Sequence, residues 1–323
     1  MFAGFDYLAI GCCGGWRRLR HTPVLGADAG NCSDAFVMRD KGAWLMWYTQ
    51  MQDEKIYLAE SPDGLQWDIY TIGKNHPFTS LGGERGGVLP SRPDLGWAVS
   101  LFSPYVVKTD AGYHLWFSAN GKWNGEEAVV IGHAVSPDGR EWTMEEEPAL
   151  TPDLPFEENC VSYPCVVARP GGKGFQMWYT AGGRDTPSCI ACAESTDGKT
   201  WIKSKKAALL PEERVERCGV GACDVLYRGD RYEMAYTAWE DPGKSRICIC
   251  SSQTGSPPWK REPLNPVVTG GIAGCWDVDA VGIPRLAAEQ GQLRLYYTGQ
   301  RGNQFSCGVV VRAEGTERRE ERP

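Results

Sequence analysis

The chain has 323 residues, 42% of them apolar and 11% aromatic, and its 39 glycines and 21 prolines supply many turns, a profile that suits one all-β domain. The net charge of −7, with no basic stripe, argues against a nucleic-acid partner. No run of about 18 apolar residues occurs and the opening segment contains Asp6 but no basic flank, so neither a membrane span nor a secretory leader is expected, and the expected location is cytoplasmic.

The thirteen cysteines lie mostly in apolar runs, among them Cys165, Cys189, Cys192, Cys248, Cys250 and Cys307, and read as reduced, buried thiols. Cys189 and Cys192 have the spacing of metal ligands, but no second pair or clustered histidine completes a site. Neither a metal nor a cofactor is expected.

Taken from its start, the chain first offers Trp16-Arg-Arg-Leu-Arg20 followed by Pro23-Val-Leu25, a fragment whose parent appears only later. A repeat with a period near 60 residues then begins. Each unit opens on a short run at Ala35, Pro104, Pro164, Cys223 and Pro284, spaced 69, 60, 59 and 61 residues apart. An aromatic strand follows, at Trp44–Thr49, Tyr113–Ser118, Phe175–Thr180, Tyr232–Thr237 and Leu293–Thr298, and then a third strand. That strand ends on Ser61-Pro-Asp-Gly-Leu-Gln-Trp67, Ser136-Pro-Asp-Gly-Arg-Glu-Trp142 or Ser195-Thr-Asp-Gly-Lys-Thr-Trp201, with a worn copy ending at Trp259.

Asp-Gly between such strands predicts a hairpin, and four-stranded units repeated about an axis predict a five-bladed β-propeller with antiparallel blades. The fifth unit stops after its third strand, so the Trp16 segment is expected to supply the fourth and close the ring without an open edge. The blades are expected at about 28–72, 97–147, 157–207, 216–264, and 277–312 plus 16–20, with 313–323 a charged tail.

This five-unit pattern, with an inner strand led by Asp34-Ala35 or x-Pro and an aromatic Tyr-Thr second strand, resembles the arabinanase, invertase and levansucrase superfamily, especially glycoside hydrolase family 43. The resemblance covers about residues 16 to 312. It implies a general base immediately before the first inner-strand reference position, which is Asp34 here. It also implies an acid-tuning Asp in the second blade, where this chain has Tyr105, and a general acid in the third, where it has Ser162.

Strand alternation predicts that the residues flanking each reference position face the channel. These are Asp34 and Phe36, Ser103 and Tyr105, Tyr163 and Cys165, Ala222 and Asp224, and Ile283 and Arg285. Glycoside hydrolysis generally needs two carboxyl groups, so a partner for Asp34 is sought among Glu157, Glu158, Asp224 and Asp279. Ser162, Tyr163, Tyr105, Asp277 and Arg285, with Arg184, Asp185, Trp239, Glu240 and Arg301 from the turns on the same face, are expected to bind a saccharide or other small molecule. The Ser-x-Asp-Gly turns and their tryptophans read as structural, and the histidines show no pairing by spacing.

Three functions fit these residues: a glycoside hydrolase-like enzyme, a relative turned to cyclisation, elimination or isomerisation, and a noncatalytic propeller that binds a sugar or protein.

Overall fold

A computed structural model describes residues 7–26, 29–70, 87–169, 174–289 and 291–314. Asp28, the glycines at 82 and 83 and nearly all of the charged tail lie outside them. The chain forms five four-stranded antiparallel sheets. Blade 1 runs β2 (Cys32–Asp40), β3 (Ala43–Gln50), β4 (Lys55–Ser61), β5 (Asp68–Ile69). Blade 2 is β6 (Ser100–Thr109), β7 (Gly112–Trp123), β8 (Glu126–Ser136) and β9 (Thr143–Met144). Blade 3 is β10 (Val161–Ala168), β11 (Phe175–Ala181), β12 (Cys189–Ser195) and β13 (Ile202–Lys203).

Blade 4 is β14 (Gly219–Tyr227), β15 (Tyr232–Asp241), β16 (Lys244–Ser252) and β17 (Lys260–Arg261). Blade 5 is β18 (Ala280–Glu289), β19 (Gln292–Arg301) and β20 (Gln304–Ala313), and its fourth strand is β1 (Trp16–Arg18) from the other end of the chain. Trp16 pairs with Arg312, as the orphaned fragment predicts. All thirteen cysteines are free.

The recurrent turn works through local bonds. The Ser61 hydroxyl accepts the Gly64 N–H at 2.8 Å, and the Asp63 carboxylate accepts those of Leu65 and Gln66 at 2.8 and 3.0 Å. Gly64 sits at φ 75, which suits a residue without Cβ. Its carbonyl serves the neighbouring blade, accepting the Tyr296 hydroxyl at 3.0 Å.

Blades 2, 3 and 4 repeat this with tryptophan. The indoles of Trp47, Trp116 and Trp178 donate to the carbonyls of Gly139, Gly198 and Gly255 of the next blade. Each also meets the next fourth-strand tryptophan edge-on, as Trp47 meets Trp142 at 6.3 Å and 81°. The equivalent residue of blade 4 is Ala235. The next blade is the one whose third and fourth strands come from opposite chain ends, so no turn stands there to receive an indole. Edge-on aromatic pairs and satisfied indoles thus fasten the blades side by side.

One expectation about the histidines changes. Cross-strand neighbours β7 and β8 bring His114 Nδ1 to 3.0 Å from His133 Nε2, a pairing invisible to sequence spacing because it spans a hairpin.

Candidate active site at the channel

The inner strands do not keep strict alternation. In each blade the register shifts at the same place, between Ser33 and Phe36, Phe102 and Tyr105, Ser162 and Cys165, Gly221 and Asp224, and Gly282 and Arg285. Two residues there oppose one on the partner strand, which is a β-bulge. The first of the two is left-handed in all five: Asp34 at φ 55, Ser103 at 51, Tyr163 at 52, Ala222 at 42 and Ile283 at 55. For residues other than glycine this conformation is uncommon, and for a β-branched isoleucine it is costly.

What holds it is the hydroxyl that ends each aromatic strand. The backbone N–H of Ser103, Tyr163, Ala222, Ile283 and Asp34 donates to Thr49, Ser118, Thr180, Thr237 and Thr298, each in the preceding blade, at 2.7 to 3.0 Å. The five bonds form a closed ring around the channel. The Thr or Ser after each aromatic pair is the sequence mark of this clasp.

Asp34 is 4% exposed. One of its oxygens accepts the Ser33 hydroxyl and the other that of Ser103, at 2.6 Å. Burial lifts its pKa above the ordinary carboxyl value; the Ser103 and Ser33 hydroxyls and the charge of Arg285 oppose the rise without cancelling it.

Asp224 is likewise buried, and burial raises its pKa against Arg285 and its hydrogen bonds. It accepts the Tyr105 hydroxyl at 2.9 Å, the Leu286 N–H at 2.5 Å and the Cys165 thiol at 3.6 Å. Tyr105, at the position where the resemblance implies an acid-tuning Asp, packs its ring 4.5 Å from that of Phe36. Burial, then Asp224, drives the Tyr105 phenol well above its usual pKa, so it acts as a donor.

Arg285 is 1% exposed and lies over the Tyr105 ring, 5.4 Å from its centroid. Its Nη1 donates to the carbonyls of Cys223 and Pro284 at 3.1 and 2.9 Å, whereas Nε and Nη2 have no partner. Tyr163, partly exposed, meets Phe102 edge-on at 6.0 Å, and burial together with the nearby Asp34 raises its pKa. Ser162, where the resemblance implies a general acid, is buried with its hydroxyl 3.5 Å from Cys160 Sγ.

The loop acids are differently employed. Glu157 is fully buried: one oxygen accepts the Tyr179 hydroxyl at 2.7 Å, and the other accepts the N–H groups of Asp153 and Leu154 and the Lys203 ammonium. Glu216 repeats this with Tyr236, Glu212, Glu213 and Arg261. Asp277 meets the corresponding Tyr297 and Arg18, but takes both on one oxygen and leaves the other without a partner among the described residues.

Each of these three carboxylates sits seven residues before its inner-strand reference position, tied to the second-strand tyrosine and to a cation two residues after the fourth-strand tryptophan. In blade 2 the same places hold Trp97, Phe117 and Met144. Trp97 stacks on Phe117 at 6.3 Å and 20°, an apolar solution to the same contact. The coincidence of carboxylate, tyrosine and cation in blades 3 to 5, and their joint loss in blade 2, is a signal legible in the repeat but missed by a search for catalytic acids.

Glu158 accepts the N–H groups of Arg184, Asp185 and Thr186 and the Thr186 hydroxyl, which heads the causes holding its pKa below the ordinary value. Asp279 is exposed and accepts the Gly302 N–H at 2.7 Å. Glu240 is paired with Lys244 at 3.0 Å, Arg301 donates to the Gly274 carbonyl at 3.2 Å, and Trp239 is partly buried against Gly221. Among the described residues no group of three or more His, Cys, Asp and Glu is arranged to hold a metal ion. A cleft of about 690 Å³ lies at the perimeter of blade 1 between Lys41, Glu60, Pro62, Tyr70 and Arg140, and none of the channel residues lines it.

Solved structures share this architecture. A thermostable family-43 glycoside hydrolase superimposes with a TM-score of 0.70 at 14% identity, covering 88% of this chain and 93% of that one. An α-L-arabinofuranosidase from Lactobacillus brevis gives 0.66 at 14%, covering 90% and 91%. The β-1,2-mannobiose phosphorylase from Listeria innocua, solved with β-1,2-mannobiose, gives 0.69 at 11%, covering 93% and 97%. The chain has the five-bladed fold of family-43-type glycoside hydrolases. No protein-family profile matches the sequence. The uncharacterized protein Rv1502 of Mycobacterium tuberculosis is 32% identical over 105 residues, 32% of this chain and 33% of that protein, so the match spans about a third of the relative.

Proposed function

We propose that this propeller acts on a glycoside or sugar-like small molecule at its channel, with Asp34 as base or nucleophile and Asp224 as the partner carboxyl. The observation that carries the reading is Asp34 itself, a buried carboxyl at the first-blade bulge with a raised pKa, held by two serine hydroxyls that orient it without neutralising it. A buried carboxyl whose pKa is raised, and which hydroxyls hold in place, is suited to proton transfer. Glu157 and Glu158 are committed to the fold through their hydrogen bonds, and Asp279 caps an exposed turn. Asp224 therefore remains as the buried second carboxyl. The shared fold supports sugar chemistry only by analogy.

The test is a panel of aryl glycosides and oligosaccharides offered to the wild-type chain and to Asp34→Asn. Turnover by the first and its loss in the second, with the fold intact, is the expected result; undiminished turnover in the variant removes Asp34 from the role.

One observation favours a second reading, a nonhydrolytic enzyme or a binding propeller. The family's acid position is Ser162, and Asp224 already accepts from three donors. An untouched glycoside panel combined with a small nonsugar ligand that raises the melting temperature would select it.

A further inference from the structure

Among the described residues, Arg285 is a channel group whose bonding is incomplete on a whole edge. Its Nη1 is spent on two backbone carbonyls, while Nε and Nη2 are buried without a partner. These two nitrogens bear the parallel N–H bonds along one side of the guanidinium plane, the fork that matches the two oxygens of a carboxylate. Leaving such donors buried and unpaired is costly, and no side chain or carbonyl of the described residues pairs with this edge.

The chain's own channel carboxylates are engaged elsewhere, Asp34 by Ser33 and Ser103, and Asp224 by Tyr105, Leu286 and Cys165. We propose that the Nε and Nη2 edge of Arg285 receives a carboxylate of the substrate, so that the sugar accepted by this channel is a uronic acid or a similarly carboxylated ring. The inference rests on the glycoside reading above and narrows it to a substrate class.

Charge supports a monoanion there. Asp34 and Asp224 both lie within electrostatic reach of Arg285, so each negative charge on a ligand there meets their repulsion as well as the attraction of the guanidinium. A phosphate carries nearly two charges and meets more repulsion from the same pair. A neutral sugar hydroxyl satisfies one of the two N–H groups and leaves the other unpaired. Tyr163 is partly exposed and lies close enough to sense both Asp34 and Arg285.

The experiment titrates the full chain calorimetrically with glucuronate and galacturonate, with glucose and galactose, and with inorganic phosphate. Turnover of matched aryl glucuronide and glucoside is measured alongside. The uronates should bind at least about tenfold more tightly than their neutral counterparts, the worth of a charge-assisted fork. Arg285→Gln should erase that difference, while Arg285→Lys, which keeps the charge but not the fork, should restore part of it.

Equal affinity of the wild type for uronates and neutral sugars, binding of phosphate in place of uronate, or no binding of any probe overturns the proposal. So does an equal loss of both sugar classes in a folded Arg285→Gln chain. If that variant does not fold, the wild-type preference decides alone. Turnover of neutral glycosides without uronate binding removes the carboxylate fork and leaves the glycoside reading standing. Uronate binding with no glycoside turned over does the reverse.

Discussion

The Thr298 hydroxyl in the last blade accepts the backbone N–H of Asp34 in the first at 3.0 Å, so the bond that closes the ring also seats the candidate catalytic carboxyl. Four sister bonds do the same for residues without a carboxyl. Thr298→Val strands a buried N–H and should cost about 1–3 kcal/mol of stability. Thr180→Val, at the equivalent clasp on Ala222, should cost a similar amount. Only the first should also lower turnover in the protein that remains folded, and a comparison of thermal melts with kcat for the two variants checks this.

Asp34→Asn should separate stability from activity. A carboxyl whose folded pKa is raised above its unfolded value supports the fold fully below the unfolded pKa, and that support is lost as pH rises through the folded pKa. Above that range the charged, buried form is a burden that Asn does not carry. The variant should thus melt at or above the wild-type temperature at pH 8 while losing turnover. A marked drop in Tm at pH 8 would show that the ionised Asp34 stabilises the fold.

Tyr105→Phe removes the 2.9 Å bond from the phenol to Asp224. That bond is among the influences opposing the rise of the Asp224 pKa, so its loss lifts the pKa further. If Asp224 supplies the proton, the alkaline limb of the kcat/KM profile should move to higher pH. An unmoved limb in an active, folded variant removes Asp224 from the acid role.

Glu157→Gln should damage the fold and spare the chemistry. Lys203 would lose its buried counter-ion, 2.7 Å away, and Tyr179 its charged acceptor. Breaking a buried pair from one side costs about 3–5 kcal/mol. Denaturant unfolding should report that loss, and kcat at low temperature, where the protein remains folded, should stay near wild type. A selective collapse of kcat would return Glu157 to the catalytic set.

His133 predicts an acid-labile blade. Burial, reinforced by His114, pushes its pKa down to about 4 from an ordinary 6.5. The unfolded chain therefore binds a proton more readily than the folded one between those values, and stability should fall as pH drops from about 6.5 to 4, by on the order of 3 kcal/mol. Lys199, Glu145 and Asp197 face the same ring, Lys199 adding to the depression and the two acids opposing it. Stability curves at pH 7 and 4.5, wild type against His133→Phe, would show a shallower slope in the variant, the remainder belonging to His114 and the paired carboxylates.

Much of this architecture is written in short-range signals. The Ser-x-Asp-Gly turns bond within four residues of themselves, their spacing counts the blades, and the stray Trp16 fragment reveals the ring closure. Asp34 is marked by its place in the repeat. These features are local or periodic, and a linear chain records both.

What only the tertiary structure decided is which side chains meet. The left-handed bulges depend on a hydroxyl from another blade, so strict alternation was the wrong rule for the inner strands. Tyr105 reaches Asp224 across 119 residues. Glu157 looks like a spare acid until Tyr179 and Lys203 are seen to hold it, and Arg285, expected to bind a ligand, gives its Nη1 to two backbone carbonyls. Whether a carboxylate is a tie or a reactant depends on the donors around it, and those donors are assembled from blades that sequence order keeps apart.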